Sequence, residues 1–175
     1  IAMKSGLEAT IMRLGNLTGR YSDGWFQFNM YENAFYNVLA SIAKIGRVSG
    51  EMLEERVELT PVDYCSQAIV KLLYWGEPYN RVFHLFNNNE LNVKKIVDAF
   101  NRNGISIKSV DSQEFESYIA SVSKDKEKQG YLAGLIPGLF SKNKSLGKKD
   151  IKVSSEITLK YLMGLDFQWP EIDNS

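Results

Sequence analysis

Apolar and polar positions along the chain form two kinds of pattern: runs of strand length and stripes at helical period. Residues 10–14 make an apolar run that Gly15, Asn16 and Gly19 interrupt. Residues 81–87 are rich in β-forming side chains, alternate in polarity and end in a run of asparagines. Because a long, mostly helical crossover separates the two runs, we expect them to pair in parallel. The pattern predicts a helix-rich α/β fold with this short parallel strand pair and small additional strands.

Stripes of apolar residues at helical period place the predicted helices. One helix is expected over residues 27–45, closed by Gly46. The strongest helix start in the sequence has Thr60 as N-cap, Pro61 at the first helical position and Asp63 in the first turn. That helix is expected to bury an apolar stripe consisting of Cys65, Ala68, Ile69, Leu72 and Leu73. Three further helices are expected to begin at Asn92, at Asp111 or Ser112, and at Ser154 or Ser155.

The segments between these helices predict loops and short strands. Residues 47–58 are polar, charged and broken by glycine, so we expect a loop that leads into a short strand near residues 57–59. Short strands are also expected at residues 105–110 and 151–153. The aromatic tail from residue 167 is expected on the surface or packed back against the core.

Composition and charge exclude several classes of function. The chain carries 21 basic and 21 acidic residues, which argues against a dedicated nucleic-acid binder and against attraction to anionic membranes. No apolar run approaches the length of a membrane span. The single cysteine suits a reducing compartment, so a cytoplasmic location is expected. No metal-ligand spacing occurs, and His84, alone in a strand, is interpreted as structural.

Three segments resemble a known family. They read RLGNLTGRYSDG from Arg13, FQFNMYENAF from Phe26, and ELTPVDYCSQAIVKLL from Glu58. The first resembles the Arg-x-x-Asn-x-x-Gly segment of extended short-chain dehydrogenase/reductases. Together they resemble the thioester reductase domains of nonribosomal peptide synthetases. The resemblance implies an extended Rossmann-type reductase. Residues 1–24 would then form the last part of its sheet with the post-strand loop, and residues 81–104 would form the final Rossmann strand and helix. Residues 25–80 would form helices of the substrate-binding subdomain, and residues 105–175 would form the rest of that subdomain and the C-terminal tail.

Two motifs that such a reductase needs do not occur in this sequence. There is no Gly-x-Gly-x-x-Gly turn to approach a pyrophosphate, and none of the nine tyrosines begins a Tyr-x-x-x-Lys pair. We therefore expect a C-terminal fragment whose parent carries its catalytic residues upstream of Ile1. NADP(H) is expected in the parent, and none is expected bound to this fragment, which should be inactive alone.

The resemblance also implies site residues. Leu14, Gly15 and Asn16 would flank the nicotinamide. The substrate would be contacted by Asn16, Thr18, Tyr21, Asp23, Phe26 and Gln27. Simpler interpretations stay open, because Gly15 and Asn16 suit an ordinary turn and the aromatic residues suit a hydrophobic staple at a helix start.

The implied parent reduces a peptidyl or acyl chain held on the phosphopantetheine arm of a carrier domain, with release as an aldehyde or alcohol. Expected partners are that carrier domain and the small-molecule acyl substrate. A lysine-rich stretch at residues 142–149 is a candidate contact for the carrier or its arm. Alternatives are a non-catalytic carrier-docking module and a fragment of a carboxylic acid or fatty acyl-CoA reductase. The outer edge of the first strand is expected to invite pairing with a second copy.

Overall fold

The computed structural model describes residues 6, 8–74, 80–132, 134–135 and 154–172. The chain divides into two compact units, each assembled from separate segments. Unit 1 comprises Ile1–Gln27, Glu58–Glu90 and Ile151–Asp173, and unit 2 comprises Phe28–Val57, Leu91–Asp150 and Asn174–Ser175. The expected strand at 151–153 and the lysine-rich stretch at 142–149 lie outside the described residues.

The described residues of unit 1 form four strands and two helices. They are β1 (Ile11–Leu14), β2 (Leu17–Thr18), β5 (Thr60–Pro61), α3 (Val62–Tyr74), β6 (Val82–Leu85) and α6 (Glu156–Gly164). Unit 2 contains the others: α1 (Ala34–Ile45), β3 (Arg47–Ser49), α2 (Gly50–Glu54), β4 (Arg56–Val57), β7 (Leu91–Asn92), α4 (Val93–Arg102), β8 (Lys108–Val110) and α5 (Ser112–Lys124). Two 3-10 turns, Met30–Glu32 and Gln129–Leu132, also belong to unit 2.

The predicted parallel pair is confirmed. Strand β1 pairs with β6 in parallel, with Ile11 opposite Val82 and Leu14 opposite Leu85. Among the described residues β6 is the sole strand neighbour of β1, and pairing of its other edge with a second copy stays a prediction. Helices α3 and α6 bury the core of unit 1, whose members are Cys65, Ala68, Leu72, Phe83, Leu85, Leu162, Phe167 and Trp169. The aromatic tail therefore packs back onto the core.

The start of α3 differs from the prediction. Thr60 is not an N-cap, because Thr60 and Pro61 form β5 and pair in parallel with β2. The Thr60 hydroxyl instead accepts a hydrogen bond from the Asn87 amide at 2.9 Å, a partner far away in sequence. Asp63 lies in the first turn as expected. Leu73, which the apolar stripe predicts to be buried, is 54% exposed.

The single helix predicted over residues 27–45 is also wrong in part. Asn33 breaks it, since its backbone is extended and its side chain accepts from the amides of Phe35 and Tyr36, so α1 begins at Ala34. The loop predicted at residues 47–58 contains β3 and α2 instead, whereas the short strand expected near residues 57–59 is present as β4 and ends at Val57. Ser49 explains the short helix, because its hydroxyl caps α2 by accepting from the Met52 amide.

Other boundaries in unit 2 agree more closely. Asp111 caps α5 through the Glu114 amide at 2.8 Å, and the strand expected at residues 105–110 is reduced to β8, which pairs in parallel with β3. A core of apolar residues from α1, α4, α5 and β3 fills the unit, including Ile42, Val48, Val97, Phe115 and Ile119.

Candidate functional site

The candidate residues lie at the carboxyl end of β1, within unit 1. A cavity of about 420 Å³ opens here, lined by Arg13, Leu14, Gly15, Glu58, His84, Phe86 and Glu90. Leu14 is exposed at the end of the strand. Gly15 is required by close packing, because a Cβ at this position would lie 2.5 Å from a Glu58 carboxylate oxygen and 2.6 Å from the Phe86 Cβ. The glycine is therefore explained by the fold itself.

Asn16 is held by the segment that precedes α3. Its backbone N–H donates to Glu58 Oε2 at 2.8 Å, and its side-chain Nδ2 donates to the Glu58 carbonyl at 3.3 Å. Its own carbonyl accepts from the Thr60 amide at 2.9 Å. The side chain of Asn16 thus has a fixed orientation at an exposed position, which suits both an ordered turn and a contact with a ligand.

Glu58 and Thr60 extend these contacts into the core. The Thr60 hydroxyl donates to Glu58 Oε1 and accepts from the Asn87 amide. Asn87 is fully buried, and its Nδ2 donates to the Pro170 carbonyl at 3.0 Å. A continuous hydrogen-bonded chain therefore leads from the C-terminal tail to Asn16. Sequence reasoning missed Glu58, because the Asn16 amide that it binds is distant in the chain.

The following loop closes on itself as a compact turn. Arg20 donates to Asp23 through Nε at 2.9 Å, and its guanidinium lies 5.0 Å from the centre of the Trp25 ring. The Trp25 amide donates to the Asp23 carboxylate, and Gly24 adopts a positive φ of 72°. The bond from the Trp25 amide, together with Arg20, holds the pKa of Asp23 below its ordinary value. Residues 20–25 therefore form an ordered, exposed turn.

Asp63 joins this turn to α3. The Asp63 carboxylate accepts from the amides of Tyr21 at 3.0 Å, Ser22 at 3.4 Å and Tyr64 at 3.0 Å. Partial burial would raise its pKa, but the amides of Tyr21, Tyr64 and Ser22 outweigh burial and lower it. The Tyr21 ring meets the Tyr64 ring edge-on, with the centroids 5.5 Å apart.

The remaining predicted substrate residues follow along the same segment. Thr18 is half-buried in β2, Phe26 is half-buried, and Tyr21, Asp23 and Gln27 are exposed. The structure thus brings Leu14, Gly15 and Asn16 together at the cavity or beside it, with the turn next in the chain.

The residues present do not fit a whole dinucleotide. The N–H of Gly15 donates to the Leu85 carbonyl, and that of Asn16 to Glu58, so these donors are already used within the fold. The cavity is lined by two carboxylates, Glu58 and Glu90, against one guanidinium, Arg13, so the formal charge of its lining is negative and does not favour a pyrophosphate. Every buried side-chain nitrogen or oxygen in the described part of the chain has a hydrogen-bond partner, so none of these atoms requires a ligand to satisfy it.

Cys65 and His84 are the two single residues for which the sequence favours a structural role. Cys65 is 2% exposed, and burial, with a smaller effect of Glu58, raises the pKa of its thiol to about 11. His84 lies in β6 and donates its backbone N–H to the Thr158 hydroxyl at 3.0 Å, although its side chain also lines the cavity. No group of three or more potential metal ligands occurs among the described residues. No helix within them is long and apolar enough to cross a membrane.

Unit 2 has a separate apolar cavity of about 300 Å³. Its lining comes from one face of α1, from the 3-10 turn before it and from α4, and consists of Met30, Tyr36, Leu39, Ala40, Ala43 and Phe100. The small side chains of Ala40 and Ala43 leave the space open. A cavity of this kind suits an aliphatic or aromatic group rather than a charged one.

The strand pair and the loop beyond it have the arrangement of an α/β protein with a parallel sheet. Strands β1 and β6 are parallel, and the candidate loop follows β1 at the carboxyl edge of the pair. That edge is where α/β proteins with open parallel sheets bind their ligands.

The chain is similar to proteins of nonribosomal peptide synthesis. It is 27% identical over 176 residues to a linear gramicidin synthase of Brevibacillus parabrevis, covering 99% of this chain and 3% of that protein. A thiolation-reductase di-domain from an archaeal nonribosomal peptide synthetase matches at 35% identity and a TM-score of 0.78, over 99% of this chain and 35% of that one. The terminal R domain of the myxalamid pathway matches at 24% identity and a TM-score of 0.74, over 99% and 42%, and supports the fold alone. No protein-family model matches the sequence.

These matches confirm the resemblance to reductase domains of nonribosomal peptide synthetases, and with it the α/β fold. The chain spans 35% and 42% of the two solved relatives and 3% of the gramicidin synthase.

Proposed function

We propose that this chain is the C-terminal, substrate-binding portion of an NADPH-dependent thioester reductase, which releases a carrier-bound peptidyl or acyl chain from a nonribosomal peptide synthetase. The observation that carries the proposal is the 35% identity to an archaeal thiolation-reductase di-domain across 99% of this chain. The missing phosphate-binding turn and Tyr-x-x-x-Lys pair support a division of labour, with catalysis performed by residues outside this sequence. The chain alone is then inactive.

The role proposed for the described residues is to bind and orient the acyl thioester. In the parent, NADPH would supply the hydride for the reduction, and Leu14, Gly15 and Asn16 would flank its nicotinamide. Asn16 presents a side chain whose orientation is fixed by Glu58, and the ordered turn at residues 20–25, which follows it in the chain, presents Tyr21.

The proposal is tested by titrating the ¹⁵N-labelled chain with decanoyl-N-acetylcysteamine thioester, a small mimic of a phosphopantetheine-bound acyl chain. We expect amide shifts at Asn16, Thr18 and Tyr21, and an affinity about tenfold lower in Asn16→Ala, equivalent to about 1.4 kcal/mol. Asn103→Ala is the matched control, because Asn103 is an exposed asparagine whose Nδ2 bonds to its own helix at Ala99. Absence of shifts up to the solubility limit of the probe, or equal losses in both variants, would contradict the proposal.

A carrier-docking module is the second candidate, and one observation favours it. The relative with 35% identity carries a thiolation domain beside its reductase. Titration with a carrier domain separates the two functions. Equal affinity for the carrier with and without its phosphopantetheine arm would favour docking, whereas tighter binding of the armed carrier would favour substrate binding.

A further inference from the structure

Two segments of unit 1, the one after β1 and the one before α3, run side by side. Strands β2 and β5 pair over two residues each, which makes a very short ladder. At both ends of this ladder a carboxylate accepts from a backbone N–H. Glu58 accepts from Asn16 at one end, and Asp63 accepts from Tyr21 at the other, each across 42 residues.

The Asp63 carboxylate receives three N–H groups. Oδ1 accepts from Tyr21 and from Tyr64, both at 3.0 Å, and Oδ2 accepts from Ser22 at 3.4 Å. A carboxylate accepts at both oxygens and donates at neither, so it suits amides that converge from two sides. An asparagine here would turn an NH₂ group towards one of these donors.

The turn that Asp63 holds is ordered by its own contacts. Arg20, Asp23 and Trp25 contact one another within it. These contacts give the turn its shape but do not attach it to the rest of unit 1. The amides of Tyr21 and Ser22 attach its backbone to α3 through Asp63, and the edge-on contact between the Tyr21 and Tyr64 rings adds a side-chain contact with the same helix of 13 residues, which is anchored in the core.

We infer that Asp63 is a positioning residue that holds the backbone of Tyr21 and Ser22, so that the loop of residues 20–27 is ordered before substrate binds. The inference rests on the proposed function, because it assigns that loop to the acyl thioester. A loop ordered in advance loses less conformational entropy on binding, which is the physical benefit of such an attachment.

A local role for Asp63 is the alternative. An acidic residue in the first turn of a helix is favoured by the helix dipole, and this accounts for the bond to Tyr64. It does not account for Tyr21 and Ser22, which belong to another element. Asp111 provides the comparison, because its carboxylate caps α5 through the amide of Glu114, within the same helix.

The attachment is tested first in the unaltered chain. The ¹⁵N–¹H shifts of the Tyr21 and Ser22 amides are followed as the pH is lowered through the carboxylate range. We expect both to move together with the titration of Asp63, at a midpoint below the ordinary value of 3.8. The amide of Trp25 should instead follow Asp23, to which it donates. Amides of Tyr21 and Ser22 that do not respond to Asp63 would overturn the inference.

The consequence for binding is tested with Asp63→Asn and the control Asp111→Asn. Asparagine is compatible with both helix starts, so both variants should fold. We expect Asp63→Asn to exchange its Tyr21 and Ser22 amide hydrogens faster and to bind decanoyl-N-acetylcysteamine thioester about tenfold more weakly. Asp111→Asn should bind the probe as the unaltered chain does.

The outcomes separate this inference from the function on which it rests. If the unaltered chain does not bind the probe, the proposed function is overturned. If it binds the probe and Asp63→Asn binds equally well, the proposed function stands and the positioning role is overturned. An equal loss of affinity in Asp111→Asn would also overturn the role, because the effect would then be a general one of helix starts.

Discussion

Thr60 connects the core of unit 1 to the candidate site, and its hydroxyl can be removed with little change of shape. In Thr60→Val the buried amide of Asn87 loses its acceptor and Glu58 Oε1 loses a donor. In Thr60→Ser the hydroxyl stays and a methyl group is lost. The two substitutions therefore separate the polar contribution of this fully buried side chain from its apolar one.

The magnitude follows from these contacts. A buried donor left without an acceptor costs about 1–3 kcal/mol, and the lost hydrogen bond to the carboxylate adds to this, so Thr60→Val should destabilise unit 1 by about 2–4 kcal/mol. Loss of one buried methyl in Thr60→Ser should cost about 1 kcal/mol. The valine variant is therefore expected to be clearly the less stable.

Urea unfolding followed by tryptophan fluorescence measures the difference, because Trp25 and Trp169 both belong to unit 1. With a slope of about 2 kcal/mol per molar urea, the midpoint should fall by about 1–2 M in Thr60→Val and by about 0.5 M in Thr60→Ser. A double-mutant cycle with Glu58→Gln should give a coupling energy of about 1 kcal/mol. A valine variant as stable as the serine variant would refute the reasoning, and so would a coupling energy near zero.

Two further predictions concern the cofactor and the thiol. Isothermal titration of this chain with NADPH should show weak binding or none, because Glu58 and Glu90 line the cavity and the sequence has no glycine-rich turn to hold a pyrophosphate. Binding with low-micromolar affinity would contradict the fragment interpretation. Because the pKa of Cys65 is raised from 9.0 to about 11, its thiolate fraction should be about a hundredfold smaller than that of an ordinary thiol. At pH 8, Ellman's reagent should therefore label Cys65 much more slowly in the folded chain than in the chain unfolded by 6 M urea. Equal labelling rates in the two conditions would show that the thiol is accessible in the folded chain.

The elements that the sequence predicted well are those whose signal is local. The runs that became β1 and β6 are apolar and end in turn residues, and α5 has both an apolar stripe and a capping Asp111. For such segments a window of a few residues contains most of the information, because an apolar run bounded by turn residues, or a helix with its cap, can be recognised before its partner is known.

The elements that were predicted wrongly depend on partners elsewhere in the chain. Thr60 carries every local sign of an N-cap, yet its hydroxyl is used by Asn87 and Glu58, and its backbone pairs with β2. β3 is too short to be seen as a periodic pattern, and it forms because β8 lies beside it. Tertiary pairing decides such cases against local propensity.

The candidate site divides in the same way. The resemblance makes Gly15 and Asn16 candidates and their roles stay predictions, whereas Glu58 was missed altogether and Asp63 was assigned only a local role. Neither carboxylate has a sequence signature, because each acts on an amide 42 residues away. The separation of 42 residues, which is the same for Glu58 with Asn16 and for Asp63 with Tyr21, can be recognised only once the fold has placed the two segments side by side.

The interleaving of the two units has a consequence for how the chain is made. The core of unit 1 includes Phe83 and Leu85 from β6, but it is completed only by Leu162, Phe167 and Trp169. During synthesis on a ribosome, β6 must therefore wait, partly uncovered, until a segment about 80 residues later has emerged, since Asn87 and Pro170 are 83 positions apart. The nascent chain is most exposed to aggregation in that interval, and a factor that shields β6 would be needed most while the later segment of unit 2, Leu91–Asp150, is being translated.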